Sequence, residues 1–206
     1  VLLVLRRSKF LQNMARELQG EEYWSKRLTP LNVLKKQKDN LQIINQLRGI
    51  LGIDLEQQFK WQASSEAYKN WRTVIEEKLG ILVFQFSMPV HEVQGFCYTD
   101  KMPSVIVTNS KHSYTGRIFT LFHELAHIIR NQSGMCLIDE VGQNQKEEWE
   151  CNSFSGRFLA PSVALVATKD MEQIKKHSYK LKISREAYLR RLKEESLISD
   201  SSFFPC

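Results

Sequence analysis

A chain of 206 residues with 42% hydrophobic and 25% charged side chains has the make-up of a globular protein with one sizeable core, which argues against intrinsic disorder. The net charge of +6 lies in the first fifty residues, which hold ten Lys/Arg against four Asp/Glu while residues 51–206 hold nineteen of each; a solvated helical face accounts for it, with a nucleic acid or an acidic partner as the alternative. The apolar run 1–5 is too short for a membrane anchor, and Cys97, Cys136, Cys151 and Cys206 form no C-x-x-C pair, so a zinc ribbon and a disulfide scaffold are not suggested and a reducing, cytoplasmic setting is expected.

Phe10, Leu11, Met14 and Leu18 recur at helical spacing within 8–28, and Leu41, Ile44 and Leu47 do so again before Gly49, predicting two amphipathic helices. Pro30 and the lysine-rich stretch 35–38 read as a connector, which sets off 1–35 as a helical N-terminal arm from a domain at 36–200, with a tail at 201–206. A helix is predicted from the Ser64-Ser65 cap to Leu79, closed by Gly80, and Trp61, Tyr68 and Trp71 have the spacing of a core face. Three β-rich runs, 81–86, 95–98 and 104–108, are separated by turn-prone residues such as Pro89 and predict a small antiparallel sheet. Helical pattern resumes at 117–130, at 146–160 before Pro161, and from the Ser184 cap through 197. Helices, a small sheet, then helices again define an α+β fold.

The helical window around residue 123 contains His123-Glu124-Leu125-Ala126-His127, an H-E-x-x-H motif. Positions i and i+4 share a helix face, so both imidazoles can reach one metal ion, and Glu124 is rotated off that line by roughly 100°. The pattern predicts a zinc site in which Glu124 accepts the proton of a metal-activated water. Two histidines and a glutamate placed among Leu, Phe and Ile without a metal would be costly to bury.

Catalytic zinc commonly takes three protein ligands. A third histidine six residues after His127 is excluded, because Ser133 stands there and Arg130 replaces the glycine between them. The remaining common solution is a glutamate from the following helix, where Glu147, Glu148 and Glu150 are available. Four residues beyond Glu147 and Glu150 lie Cys151 and Phe154, which with Phe158 look core-facing, whereas four beyond Glu148 lies Asn152, able to hydrogen-bond a ligating histidine and fix its tautomer. Glu148 is therefore the expected ligand, with Glu147 and Glu150 left open.

Three stretches resemble the ImmA/IrrE-type metallopeptidases: Gly95-Phe96-Cys97 followed by Val105-Ile106-Val107-Thr108-Asn109-Ser110; Gly116-Arg117-Ile118-Phe119-Thr120-Leu121-Phe122 leading into the motif; and Glu148-Trp149-Glu150-Cys151-Asn152-Ser153-Phe154 running to Leu159-Ala160-Pro161. The resemblance covers most of 45–200. It implies a thermolysin-like zincin core with the sheet backing the motif helix, and the glutamate of E-x-x-x-N as third ligand. It also implies a protein substrate, in this family a helix-turn-helix repressor, and often an upstream DNA-binding domain, with which the basic N-terminal helices and the start at Val1 are compatible. Ser155-Gly156 and Ala160 depart from the family's more usual residues.

For an oxyanion stabiliser His91, His112, Tyr114, Arg117 and His177 are chemically suitable, and nothing in the sequence ranks them. Cys151 reads as a small buried thiol. The helix from Ser184, with Arg185, Arg190, Arg191 and Lys193, lacks a convincing helix-turn partner and reads as structural. The expected function is zinc-dependent cleavage of a regulatory protein. The alternative is a non-proteolytic regulatory module that binds a repressor or DNA and keeps a structural or vestigial metal site.

Overall fold

The computed structural model describes residues 1–131, 134–137 and 145–199; Ser133 and the tail expected at 201–206 lie outside them. Helix α1 (Leu2–Arg27) bends at Gly20, whose φ of 77° is of the left-handed kind that glycine tolerates. The stretch around Pro30 was expected as a connector and is instead helix α2 (Thr29–Lys35). Proline fits a first helical turn, where its missing N–H has no intrahelical partner to lose, and the helix buries Leu31 and Leu34 in the main core. Then come α3 (Asn40–Leu51), α4 (Leu55–Lys60) and α5 (Ser64–Leu79). Asp39 and Asp54 cap α3 and α4 by accepting from Gln42 N and Gln57 N.

Strands β1 (Leu82–Phe86), β2 (Val93–Tyr98) and β3 (Val105–Asn109) precede α6 (Tyr114–Ile129) and β4 (Gly134–Leu137). The sheet is four-stranded in the order β1-β3-β2-β4 and mixed, not the three-stranded antiparallel sheet expected. β3 pairs with β1 in parallel and with β2 antiparallel, and β4 pairs antiparallel with β2. Apolar alternation locates strands without saying which are neighbours. The uninterrupted Val105-Ile106-Val107 run is the clue to an inner strand buried on both faces.

The period of two divides the sheet. Val83, Cys97 and Ile106 face the main core, while Phe96, Tyr98, Val105 and Val107 face the other way, where Val1, Val4 and Leu5 of the N-terminal segment cover them. Gln12 fastens α1 there, its Nε2 donating to Lys101 O at 3.0 Å and Pro103 O at 2.8 Å.

Helix α7 (Gln145–Leu159), a short 3-10 turn (Ser162–Ala164), α8 (Met171–Leu181) and α9 (Arg185–Glu194) complete the fold. Trp71 of α5 sits at the centre, edge-on to Trp61 at 5.0 Å and to Phe122 at 5.1 Å, with Phe122 stacked on Phe158 at 4.3 Å. The last carbonyls of α7 lack intrahelical partners. Arg48 donates to Phe158 O, Gln58 Nε2 to Leu159 O at 3.0 Å and Arg191 Nε to Ala160 O at 3.0 Å. Gly156 lets Arg191 lie across α7, since a Cβ there would stand 2.9 Å from Arg191 Cδ.

Helix α6 approaches β2 at Gly95, where a Cβ would stand 2.4 Å from Thr120 Cγ2 and 2.7 Å from Val107 O. Gly95→Ala must therefore part α6 from the sheet. A loss of about 1–3 kcal/mol in urea denaturation is expected, the usual cost of overpacking; unchanged stability would contradict this account of the contact.

Candidate metal centre

Ser113 starts α6, its Oγ accepting from Gly116 N at 3.2 Å. From Ile118 to Ile129 the helix is almost wholly buried, as expected of one apolar on nearly every side. His123 and His127, one turn apart, bring their Nε2 atoms to 3.1 Å. Glu148, in the first turn of α7, reaches across: Oε2 lies 3.1 Å from His123 Nε2 and Oε1 3.2 Å from His127 Nε2. Glu150 turns instead toward Arg130, with Oε2 3.9 Å from Nε.

Ligands about 2.0–2.1 Å from a tetrahedral zinc ion lie roughly 3.3 Å from one another. The imidazole nitrogens stand 3.1 Å apart and each meets one Glu148 oxygen at 3.1–3.2 Å, spacings close to such an edge. Two imidazoles and a carboxylate are also a donor set that zinc accepts, so these residues fit the ion.

Asn152 Oδ1 lies 3.0 Å from His123 Nδ1. With that nitrogen as the donor, the Nε2 lone pair of His123 points at the site. Glu124 is fully buried on the sheet side of α6, its Oε1 3.6 Å from where a Cβ at Gly95 would stand. Cys151, one residue before Asn152, is hydrogen-bonded to His127 and accepts from Arg130 Nη1 at 3.2 Å. A small buried thiol ordinarily reads as packing, and Cys151 does more than pack. The spacing that finds it is its position three residues after Glu148, with Arg130 three after His127.

The electrostatics favour a cation. Burial lowers the pKa of His127, but hydrogen bonds to Cys151 and Glu148 and the charge of Glu124 outweigh it and push the pKa up to about 10. The adjoining His123 and His127 rings hold Glu148 well below the usual carboxylate range against the opposing effect of burial.

A groove of about 1050 Å³ runs beside the centre between α6, α7 and α9, lined by Phe119, Trp149, Asn152, Arg190 and Lys193 among others. Of the residues suited to stabilise an oxyanion, His112 lines this groove. Arg117 stacks on Tyr114 at 3.8 Å and donates to Gln85 Oε1 at 3.0 Å. His91 is exposed beside Glu92, and His177 stacks on Tyr188 of α9.

A buried helix carrying H-E-x-x-H, faced by a carboxylate from the next helix, is the centre of a metallopeptidase. The model of the IrrE N-terminal-like domain, peptidase family M78, matches residues 76–193, and the chain belongs to this family. No curated protein and no solved structure matched the chain. A protease family implies a protein substrate. Among the described residues no helix is long and apolar enough to cross a membrane.

With its pKa raised to about 10, His127 carries a proton at neutral pH in the metal-free chain, and a metal ion must displace it. Apparent Zn²⁺ affinity is thus expected to rise with pH through the neutral range, with about one proton released per ion. Calorimetry at pH 7 in buffers of different ionisation enthalpy measures that number, and binding without proton release would contradict the assignment.

Proposed function

We propose that this chain is a zinc-dependent endopeptidase that cleaves a regulatory protein, a transcriptional repressor of the helix-turn-helix kind, in the cytoplasm. The observation that carries this is the convergence of His123, His127 and Glu148 beside buried Glu124 in a member of a metallopeptidase family. On this reading the sheet and α6 form a zincin-like core, residues 36–200 are the peptidase unit, and 1–35 are an arm laid against it.

His123, His127 and Glu148 would hold the ion, and Asn152 would keep His123 in the tautomer that ligates. The bound metal would supply Lewis acidity toward a peptide carbonyl and toward water. Glu124 takes the proton of the attacking water and delivers it to the amine that leaves, a task for which a buried carboxylate beside His127 is well placed. The groove would hold the polypeptide, with Phe119 and Trp149 offering apolar contact and Arg190 and Lys193 lying along its α9 wall. A broad groove suits recognition of a folded partner's surface more than a deep pocket for one side chain.

The test is incubation of the zinc-loaded chain with a panel of purified helix-turn-helix repressors, with new N-termini read by mass spectrometry. Cleavage of one or a few of them is expected. Chelation should stop it, and Glu124→Gln should slow it by about a hundredfold or more. Cleavage that survives both would contradict the proposal; repressor binding without cleavage would favour a non-proteolytic regulatory module.

A further inference from the structure

His127 uses Nε2 toward His123 and Glu148, at 3.1 and 3.2 Å. With Nε2 so engaged, Nδ1 is the ring nitrogen left for the hydrogen bond with Cys151. The two histidines are thus served by consecutive residues of α7: Asn152 Oδ1 on His123 and Cys151 Sγ on His127. Successive helical side chains diverge by roughly 100°, which suits two rings standing side by side.

The sulfur is itself held. Arg130, at the end of α6, donates from Nη1 to Cys151 Sγ at 3.2 Å and from Nη2 to Asn40 Oδ1 at 3.0 Å at the start of α3, and its guanidinium lies 5.9 Å from the Phe154 ring. Ser155 Oγ donates to Cys151 O at 2.9 Å. Cys151 is fully buried. A ring hydrogen bond and a guanidinium thus converge on one enclosed sulfur.

We infer that Cys151 is a positioning residue of the metal centre: its sulfur accepts from His127 Nδ1–H, fixing the tautomer and ring orientation that direct Nε2 at the ion, while Arg130 fixes the sulfur. The inference rests on His127 being a metal ligand. It gives Cys151 the orienting role that Asn152 has on His123, with sulfur, a weaker acceptor than oxygen, reinforced by a charged donor. Replacing Cys151 with alanine would leave the buried His127 ring and the half-buried Arg130 Nη1 without this acceptor.

The test is titration of the full chain with Co²⁺, followed by visible absorption, in the parent, Cys151→Ala, Cys151→Ser and Arg130→Met proteins. Cys151→Ala is expected to weaken Co²⁺ binding by about tenfold to a hundredfold, with a smaller loss in Arg130→Met. Serine, whose hydroxyl can accept the same hydrogen bonds, should recover much of the loss, and the parent spectrum should show no thiolate-to-cobalt charge-transfer band. Parent-like affinity in both Cys151→Ala and Arg130→Met would overturn the inference. So would a charge-transfer band lost in Cys151→Ala, which would make the sulfur a ligand. A parent that binds no Co²⁺ would instead overturn the metal-site reading beneath it.

Discussion

Four lone-pair-bearing atoms crowd together here: His123 Nε2 and His127 Nε2 stand 3.1 Å apart, and Glu148 sets Oε2 3.1 Å from the first and Oε1 3.2 Å from the second. Such atoms repel unless a proton or a metal cation lies among them, and partial burial sharpens the conflict by removing the water that would screen it. In the metal-free chain a proton on His127 answers it, and hydrogen bonds to Cys151 and Glu148 outweigh the burial that would lower that pKa. A divalent cation would answer it more fully, because both imidazoles and the carboxylate could then point lone pairs at the same charge. The rest of the fold holds the donors where this competition is decided.

That task falls to rigid elements. Helix α6 is packed against the sheet through Gly95 on one side and against the Trp71, Phe122 and Phe158 cluster on the other. Helix α7 is held near its end by Arg48, Gln58 and Arg191, and along its length by Phe154 and Phe158 in the core. The two helices therefore set the distance between imidazoles and carboxylate, and the two buried imidazoles have little freedom to drift. The sheet's other face is closed by the N-terminal segment, so residues far from the centre in sequence still support it.

Much of this was legible in the sequence because the site's periodicity is that of a helix. H-E-x-x-H specifies a face, and the companion residue Asn152 favours Glu148 over its two acidic neighbours from spacing alone. Strand positions are legible as β-rich runs between turn-prone residues, but their order is not: nothing in 81–86 or 95–98 says that β3 inserts between them. The helix around Pro30 was hidden by a residue that usually punctuates, although Leu31 and Leu34 lie at the spacing of a buried turn. Helices α4 and α8 were not anticipated. Cys151 was passed over because a buried thiol is most often mere packing, and its contact with His127 depends on how α7 crosses α6, which no local pattern encodes.

The most direct measurement is anomalous diffraction at the zinc absorption edge from crystals of the zinc-loaded chain. The account predicts a single strong peak about 2.0–2.1 Å from His123 Nε2, His127 Nε2 and a Glu148 carboxylate oxygen. A peak elsewhere, or one ligated by His123 and His127 with Glu148 turned away, would contradict it.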